Sequence, residues 1–132
     1  MRILLIEDNE SIADVMRRSL LVFNSPADRV ALDCAANGRT GLQLARSSTF
    51  DGYLVDLDLP DIHGLQVGLA LGHLMRRQRI PNGWIAAVTA QSDAITRQRA
   101  QDLGFNAFLT KPFGISALNA LLHHFGTPKA QG

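Results

Sequence analysis

Short apolar runs alternate with longer segments of helical period from one end of this 132-residue chain to the other. That alternation constrains the fold more than any other feature, because strands separated by helices build βαβ units and a parallel sheet. Residues 2–7 read as a first strand whose apolar residues are nearly continuous, as in a central strand covered on both faces. Ile12, Val15, Met16, Leu20 and Phe23 then recur at helical spacing, and Asn24-Ser25-Pro26 stops the helix. Val30, Leu32 and Cys34 alternate as a second strand, Asn37-Gly38 turns the chain, and Leu42 and Ala45 mark a short second helix. Residues 53–57 form a third strand, with a loop around Pro60 and Gly64 before a helix over 65–77. Asn82-Gly83 precedes a fourth strand, 84–89. A helix follows over 92–103, with Ser92 as N-cap and Gly104 at the C-cap. Residues 105–109 make the fifth strand, and Ile115, Leu118, Leu121, Leu122 and Phe125 mark a last amphipathic helix before a frayed tail.

Consecutive parallel strands of such a sheet finish on one edge, so side chains at strand ends converge in a crevice. Here those ends carry Glu7 and Asp8, Asp56, Thr89 and Lys111, a set suited to an acidic phosphorylation site. Each has a plainer reading alone: Glu7 and Asp8 suit the N-terminus of a helix, and Asp56 suits a turn. Composition narrows the alternatives. The net charge of +1 supports neither a nucleic-acid binder nor a strongly acidic protein. The single cysteine, Cys34, excludes an internal disulfide and reads as a small buried hydrophobe. His63, His73, His123 and His124 lack metal-ligand spacing. No apolar run is long enough to span a bilayer and the chain opens on a strand, so the cytoplasm is the expected compartment.

Three stretches carry a family resemblance: ILLIEDN at the start, LVDLDLPDIHG in the centre, and VTA followed by FLTKPF. Asp56, with Pro60 and Gly64 at the fourth and eighth positions after it, is the most specific part. With these motifs the chain resembles a receiver domain of the two-component response-regulator family over nearly its whole length. The resemblance implies a flavodoxin-like doubly wound (βα)5 fold with a five-stranded parallel sheet in the order 2-1-3-4-5. It places the receiver domain in residues 1–126 and a short tail in 127–132, too short for an output domain. Asp56 would accept a phosphoryl group from a histidine kinase or histidine phosphotransfer protein. Glu7, Asp8, Asp56 and the backbone carbonyl of Asp58 would hold Mg2+, Thr89 and Lys111 would bind the phosphoryl oxygens, and Phe108 would switch rotamer with Thr89. A cis bond between Lys111 and Pro112 would aim the lysine at the site.

The chemistry is coherent on its own terms. Positioning and charge neutralisation supply most of the catalysis in phosphoryl transfer, and magnesium takes oxygen ligands from one or two carboxylates and water. Three metal-free carboxylates would repel one another and raise at least one pKa, with Lys111 offsetting part of that charge. Phe108 stands where the family often has tyrosine, so a readout would rest on packing and not on a phenol. Asp58 and Gln91, beside the site, are expected to tune the lifetime of the phosphorylated state. Output is expected through a face of the fourth helix, fifth strand and fifth helix, with exposed apolar or mixed residues among Ile95, Gln98, Leu118 and Leu122 for a downstream partner or a homodimer. The chain itself is expected neither to bind nucleic acid nor to enter a membrane, and to catalyse only its own phosphorylation and dephosphorylation. Asp56-Leu57-Asp58 also resembles the nucleophile motif of haloacid-dehalogenase-like phosphatases, although Pro60 departs from it. A receiver-like interaction module that is never phosphorylated is the remaining alternative.

Overall fold

The computed structural model describes residues 1–23, 30–90 and 93–126. Its elements run β1 (Arg2–Ile6), α1 (Glu10–Phe23), β2 (Ala31–Ala35), α2 (Gly38–Ser47), β3 (Gly52–Asp56), α3 (Gly64–Arg76), β4 (Trp84–Thr89), α4 (Ala94–Asp102), β5 (Ala107–Thr110) and α5 (Ile115–Gly126). All four strand pairings are parallel, and the sheet order is β2-β1-β3-β4-β5. This is the expected doubly wound arrangement. The helix stop at Asn24-Ser25-Pro26, Gln91, Ser92 and the tail 127–132 lie outside the described residues.

The two-residue period of a strand sorts the core into two layers. Leu4 and Ile6 of β1 face one side, where Tyr53, Val55, Val67, Leu71, Ala87, Ala100 and Phe105 gather under α2, α3 and α4. Ile3 and Leu5 face the other, with Leu54, Val88, Met16, Leu118, Leu121 and Leu122 under α1 and α5. β3 and β4 are buried throughout, which explains why their sequences read as continuous apolar runs.

Several local expectations move. The cap of α4 is Asp93, whose carboxylate accepts from the Thr96 backbone N–H at 2.8 Å. Gly104 does close that helix, at φ +96, where a non-glycine residue would be strained. Asn37 is less a turn residue than the N-cap of α2, accepting from the Thr40 N–H at 2.8 Å. Val15 is 57% exposed, off the buried stripe that Ala13 and Met16 form. On the expected output face, Ile95 is 69% exposed and Gln98 is exposed, but Leu118 and Leu122 are core residues, 1% and 0% exposed. The spacing that marked them as the apolar stripe of α5 is the spacing of the stripe that faces the sheet, so they cannot also face a partner. Among the described residues no helix is long and apolar enough to cross a membrane.

Candidate phosphoryl-acceptor site

Four of the five strands deliver a candidate functional group at the carboxyl end. Glu7 follows β1 directly, Asp56 and Thr89 are the last residues of β3 and β4, and Lys111 follows β5. The register enforces the convergence: Asp56 lies opposite Val88, Thr89 opposite Thr110, and the Lys111 N–H donates to the Thr89 carbonyl at 2.7 Å. Among the described residues Glu7, Asp56 and Thr89 are the buried polar ones, 4%, 1% and 2% exposed, while Asp8 is exposed at the mouth.

The Lys111 ammonium lies 3.0 Å from Glu7 Oε1 and 3.3 Å from Asp56 Oδ1, tying strands from opposite sides of β3 into one charge cluster. Asp56 Oδ1 also accepts from the Asp58 N–H at 3.0 Å, and Glu7 Oε2 from the Asn9 N–H at 3.2 Å. Glu7 Oε1 is buried with the Lys111 charge beside it but no well-aligned hydrogen bond. Burial above all, then its hydrogen bond and repulsion with Asp56, pushes the Glu7 carboxyl up to about 7, with Lys111 pulling the other way. Burial works against the Lys111 ammonium as well, but its pairs with Glu7 and Asp56 outweigh that and raise its pKa.

Glu7, Asp8 and Asp56 each offer a carboxylate oxygen within 4.8 Å of the others. One ammonium cannot balance three carboxylates, and the chemistry of an all-oxygen, partly open donor set fits a small hard divalent cation. The expected capping role of Glu7 and Asp8 falls elsewhere: Asn9 caps α1, its side-chain oxygen accepting from Ser11 and Ile12 at 2.9 and 3.2 Å. Lys111–Pro112 is cis. Asp58 is exposed beside Asp56, and Gln91 lies outside the described residues.

Three contributors were not foreseen from the sequence. Asp61 accepts from the N–H groups of Gly38 and Arg39 at 2.8 and 2.9 Å, clasping the loop after β3 to the start of α2. Desolvation opposes its ionisation, but these backbone hydrogen bonds, with one from Ile62, hold its pKa below the usual value. His63 Nδ1 caps α3, accepting from the Leu65 N–H at 3.1 Å. Arg97 of α4 lies over the Phe108 ring, 4.8 Å from its centroid. Acceptors of the cap-forming type were legible in the sequence; a clasp between residues 22 apart was not.

A glycine is required where α3 starts. A Cβ on Gly64 would stand 2.2 Å from the Asp56 carbonyl oxygen and 2.4 Å from Leu57 Cα. The helix therefore packs directly on the backbone that carries Asp56, with the Gly64 N–H donating to the Leu57 carbonyl at 2.9 Å.

Fold and crevice together define a doubly wound α/β domain with an acidic, lysine-paired crevice at its strand ends, and comparison with known proteins supplies the family. Residues 3–123 match the response regulator receiver domain, and the chain belongs to that family. It is 31% identical over 119 residues to the response regulator ArlR of Staphylococcus saprophyticus, covering 90% of this chain and 49% of that protein. The chain thus spans about half the length of the curated relatives it matches. Among solved structures it resembles the chemotaxis protein CheY4 of Vibrio cholerae, with a TM-score of 0.81 and 22% identity over 94% of this chain and 97% of that one. It also resembles the receiver domain of the sensor histidine kinase PA1611 of Pseudomonas aeruginosa, with a TM-score of 0.76 and 25% identity over 94% and 95% of the two chains. In that structure a magnesium ion is coordinated in the active site cleft.

Proposed function

We propose that this receiver domain takes a phosphoryl group onto Asp56 from a phosphohistidine of a histidine kinase or phosphotransfer protein. The observation that carries the reading is the focus on Asp56: a buried carboxylate at a strand end, 3.3 Å from Lys111 and grouped with Glu7 and Asp8. An Asp56 oxygen forms a bond to phosphorus as the phosphorus–nitrogen bond to the donor imidazole breaks, and the nitrogen keeps the electron pair. Asp8 and Asp56, with Glu7 acting through water and Asp58 through its carbonyl, would hold Mg2+. Bound there, the ion neutralises charge on the phosphoryl oxygens. Lys111 supplies a fixed positive charge on the same side, and the Asp58 N–H keeps the acceptor carboxylate oriented.

Once Asp56 carries its phosphoryl group, the Thr89 hydroxyl and Lys111 are drawn to the new oxygens. Inward movement of Thr89 leaves space for Phe108, which is only half-buried and leans on Arg97. That exchange is a two-state element biased by local charge, read out on the face of α4, β5 and α5. Ile95 and Gln98 are the exposed residues of that face that a downstream partner or second copy would meet. Asp58, exposed beside the acceptor, tunes the lifetime of the phosphorylated state.

Intact mass after incubation with magnesium and acetyl phosphate tests the reading against Asp56→Asn. A single base-labile, magnesium-dependent phosphoryl adduct absent from the variant is expected. No adduct under any condition would leave an interaction module, and sustained release of phosphate would make the chain a phosphatase.

A further inference from the structure

The net charge of +1 conceals a separation of charge. No Asp or Glu occurs between Asp33 and Asp51, or between Asp61 and Asp93, so neither α2 nor α3 carries an acidic residue. Both helices run back from the acidic crevice, which puts their C-termini at the opposite edge of the sheet. From Gly64, packed on the Asp56 carbonyl, the 13 residues of α3 span about 20 Å at 1.5 Å per residue.

At that far edge Arg46 of α2 joins His73, Leu74, Arg77 and Arg79 around one open recess of about 580 Å³. Arg76 and Arg79 line an adjoining recess of about 650 Å³. Arg46, His73, Arg76, Arg77 and Arg79 are all exposed, and among the described residues none of the four guanidinium groups has an ion-pair or hydrogen-bond partner. Compensation of helix dipoles accounts for Arg46 and Arg76 separately, at the last turns of α2 and α3. It does not account for Arg79, which lies beyond the helix. That residue is returned alongside α3 by a turn in which the Gln78 N–H donates to Met75 and the Arg79 N–H to Leu74. The turn holds Gln78 at φ 58, a conformation disfavoured for a residue with a Cβ. Like charges from two helices and a strained turn are thus gathered around one recess, and no acid is among the described residues that line it.

We propose that this pole is a docking surface for an acidic polypeptide segment of a partner protein. Arginine forks match carboxylates in paired hydrogen bonds and shed water more readily than ammonium groups. One turn back on the exposed side of α3, Leu69 is 44% exposed and offers an apolar foothold beside the charges. Among the described residues that line it the patch has no Phe, Tyr or Trp on which a run of unpaired bases could stack, and Leu69 with the half-buried Leu74 is too little apolar surface to seat in a bilayer. The surface is separate from the phosphoryl-acceptor crevice and from the face of α4, β5 and α5, and it does not depend on phosphorylation.

The test is fluorescence anisotropy of a labelled glutamate-rich peptide with one central leucine, at about 0.15 M salt, where the Debye length is roughly 8 Å. Arg77→Ala/Arg79→Ala is compared with Arg18→Ala/Arg99→Ala, which removes equal charge elsewhere, and thermal melts confirm that both variants fold. Saturable binding weakened at least tenfold by the first pair and less than twofold by the second supports the proposal. Equal weakening by both pairs, or no binding by the parent, overturns it. Tighter binding of duplex DNA or of vesicles rich in phosphatidylglycerol, lost in the first variant, also overturns it by assigning the surface to a different partner.

Discussion

Replacing Gly64 by alanine tests whether α3 is seated on the acceptor backbone as tightly as the geometry requires. The new Cβ would lie 2.2 Å from the Asp56 carbonyl oxygen, 2.4 Å from Leu57 Cα and 2.8 Å from the Asp56 carbonyl carbon. Ordinary contact starts at 3.4 Å, and all three obstacles are backbone atoms, which cannot swing aside as a flexible side chain would. The helix start must therefore move by about 1 Å, stretching the Gly64-to-Leu57 hydrogen bond, at an overpacking cost of roughly 1–3 kcal/mol. Gly72 supplies the control within the same helix. A Cβ there meets only the end of Arg76, at 3.4 Å, so Gly72→Ala gains the roughly 0.5–1 kcal/mol by which alanine exceeds glycine in a helix. Urea unfolding of metal-free protein should place the two variants on opposite sides of the parent, about 1.5–4 kcal/mol apart by those terms. If the reading of Asp56 is right, the same 1 Å displacement also slows phosphorylation by acetyl phosphate, by up to about 100-fold. Equal stability of the two alanine variants would refute the claim that α3 packs on the acceptor backbone without slack.

The raised pKa of Glu7 makes the metal-free protein less stable as pH rises. Below about 4.5 the group is protonated in both states; between there and about 7 the folded state keeps a proton that the unfolded state has lost. Stability should fall by about 1.4 kcal/mol per pH unit across that window, on the order of 3 kcal/mol in all. Glu7→Gln should remove most of that slope, and an unchanged slope would show that Glu7 is not the group responsible. Tyr53 has a buried hydroxyl with no hydrogen-bond partner, and burial raises its pKa to about 12. Tyr53→Phe should therefore stabilise the protein by about 1 kcal/mol in urea unfolding, the penalty of an unpaired buried polar group; destabilisation would mean that the hydroxyl has a partner. Arg97→Leu should release Phe108 from a cation–π contact worth about 0.5–1 kcal/mol. In the unphosphorylated protein, fluorine NMR of a labelled Phe108 should then report a two- to fivefold change in rotamer ratio, and an unmoved ratio would show that the contact does not hold the ring.

The separation between what was legible in the chain and what was not follows the range of the interactions. Nearest-neighbour periodicity sufficed for five strands and five helices, since continuous apolar runs such as residues 84–89 can only be buried on both faces, and 3–4 spacing marks the core-facing stripe of α5. Placing Glu7, Asp56, Thr89 and Lys111 at strand ends was enough to foresee a shared crevice, because a parallel sheet leaves no other edge for them. Which side of a helix meets the sheet was misjudged for Leu118 and Leu122, since a stripe states that one side is apolar without saying what it packs on.

Only the tertiary structure set the 3.0 and 3.3 Å at which Lys111 bridges Glu7 and Asp56, clasped Asp61 to the start of α2, laid Arg97 over Phe108 and gathered Arg46 with Arg77 and Arg79. Each of these pairs residues from different elements, so it depends on the register of strands and the seating of helices. Those are fixed by packing across the whole domain, at distances along the chain that no local pattern spans. The sequence by itself determined the order of elements and the chemical groups at their ends; packing decided which groups meet.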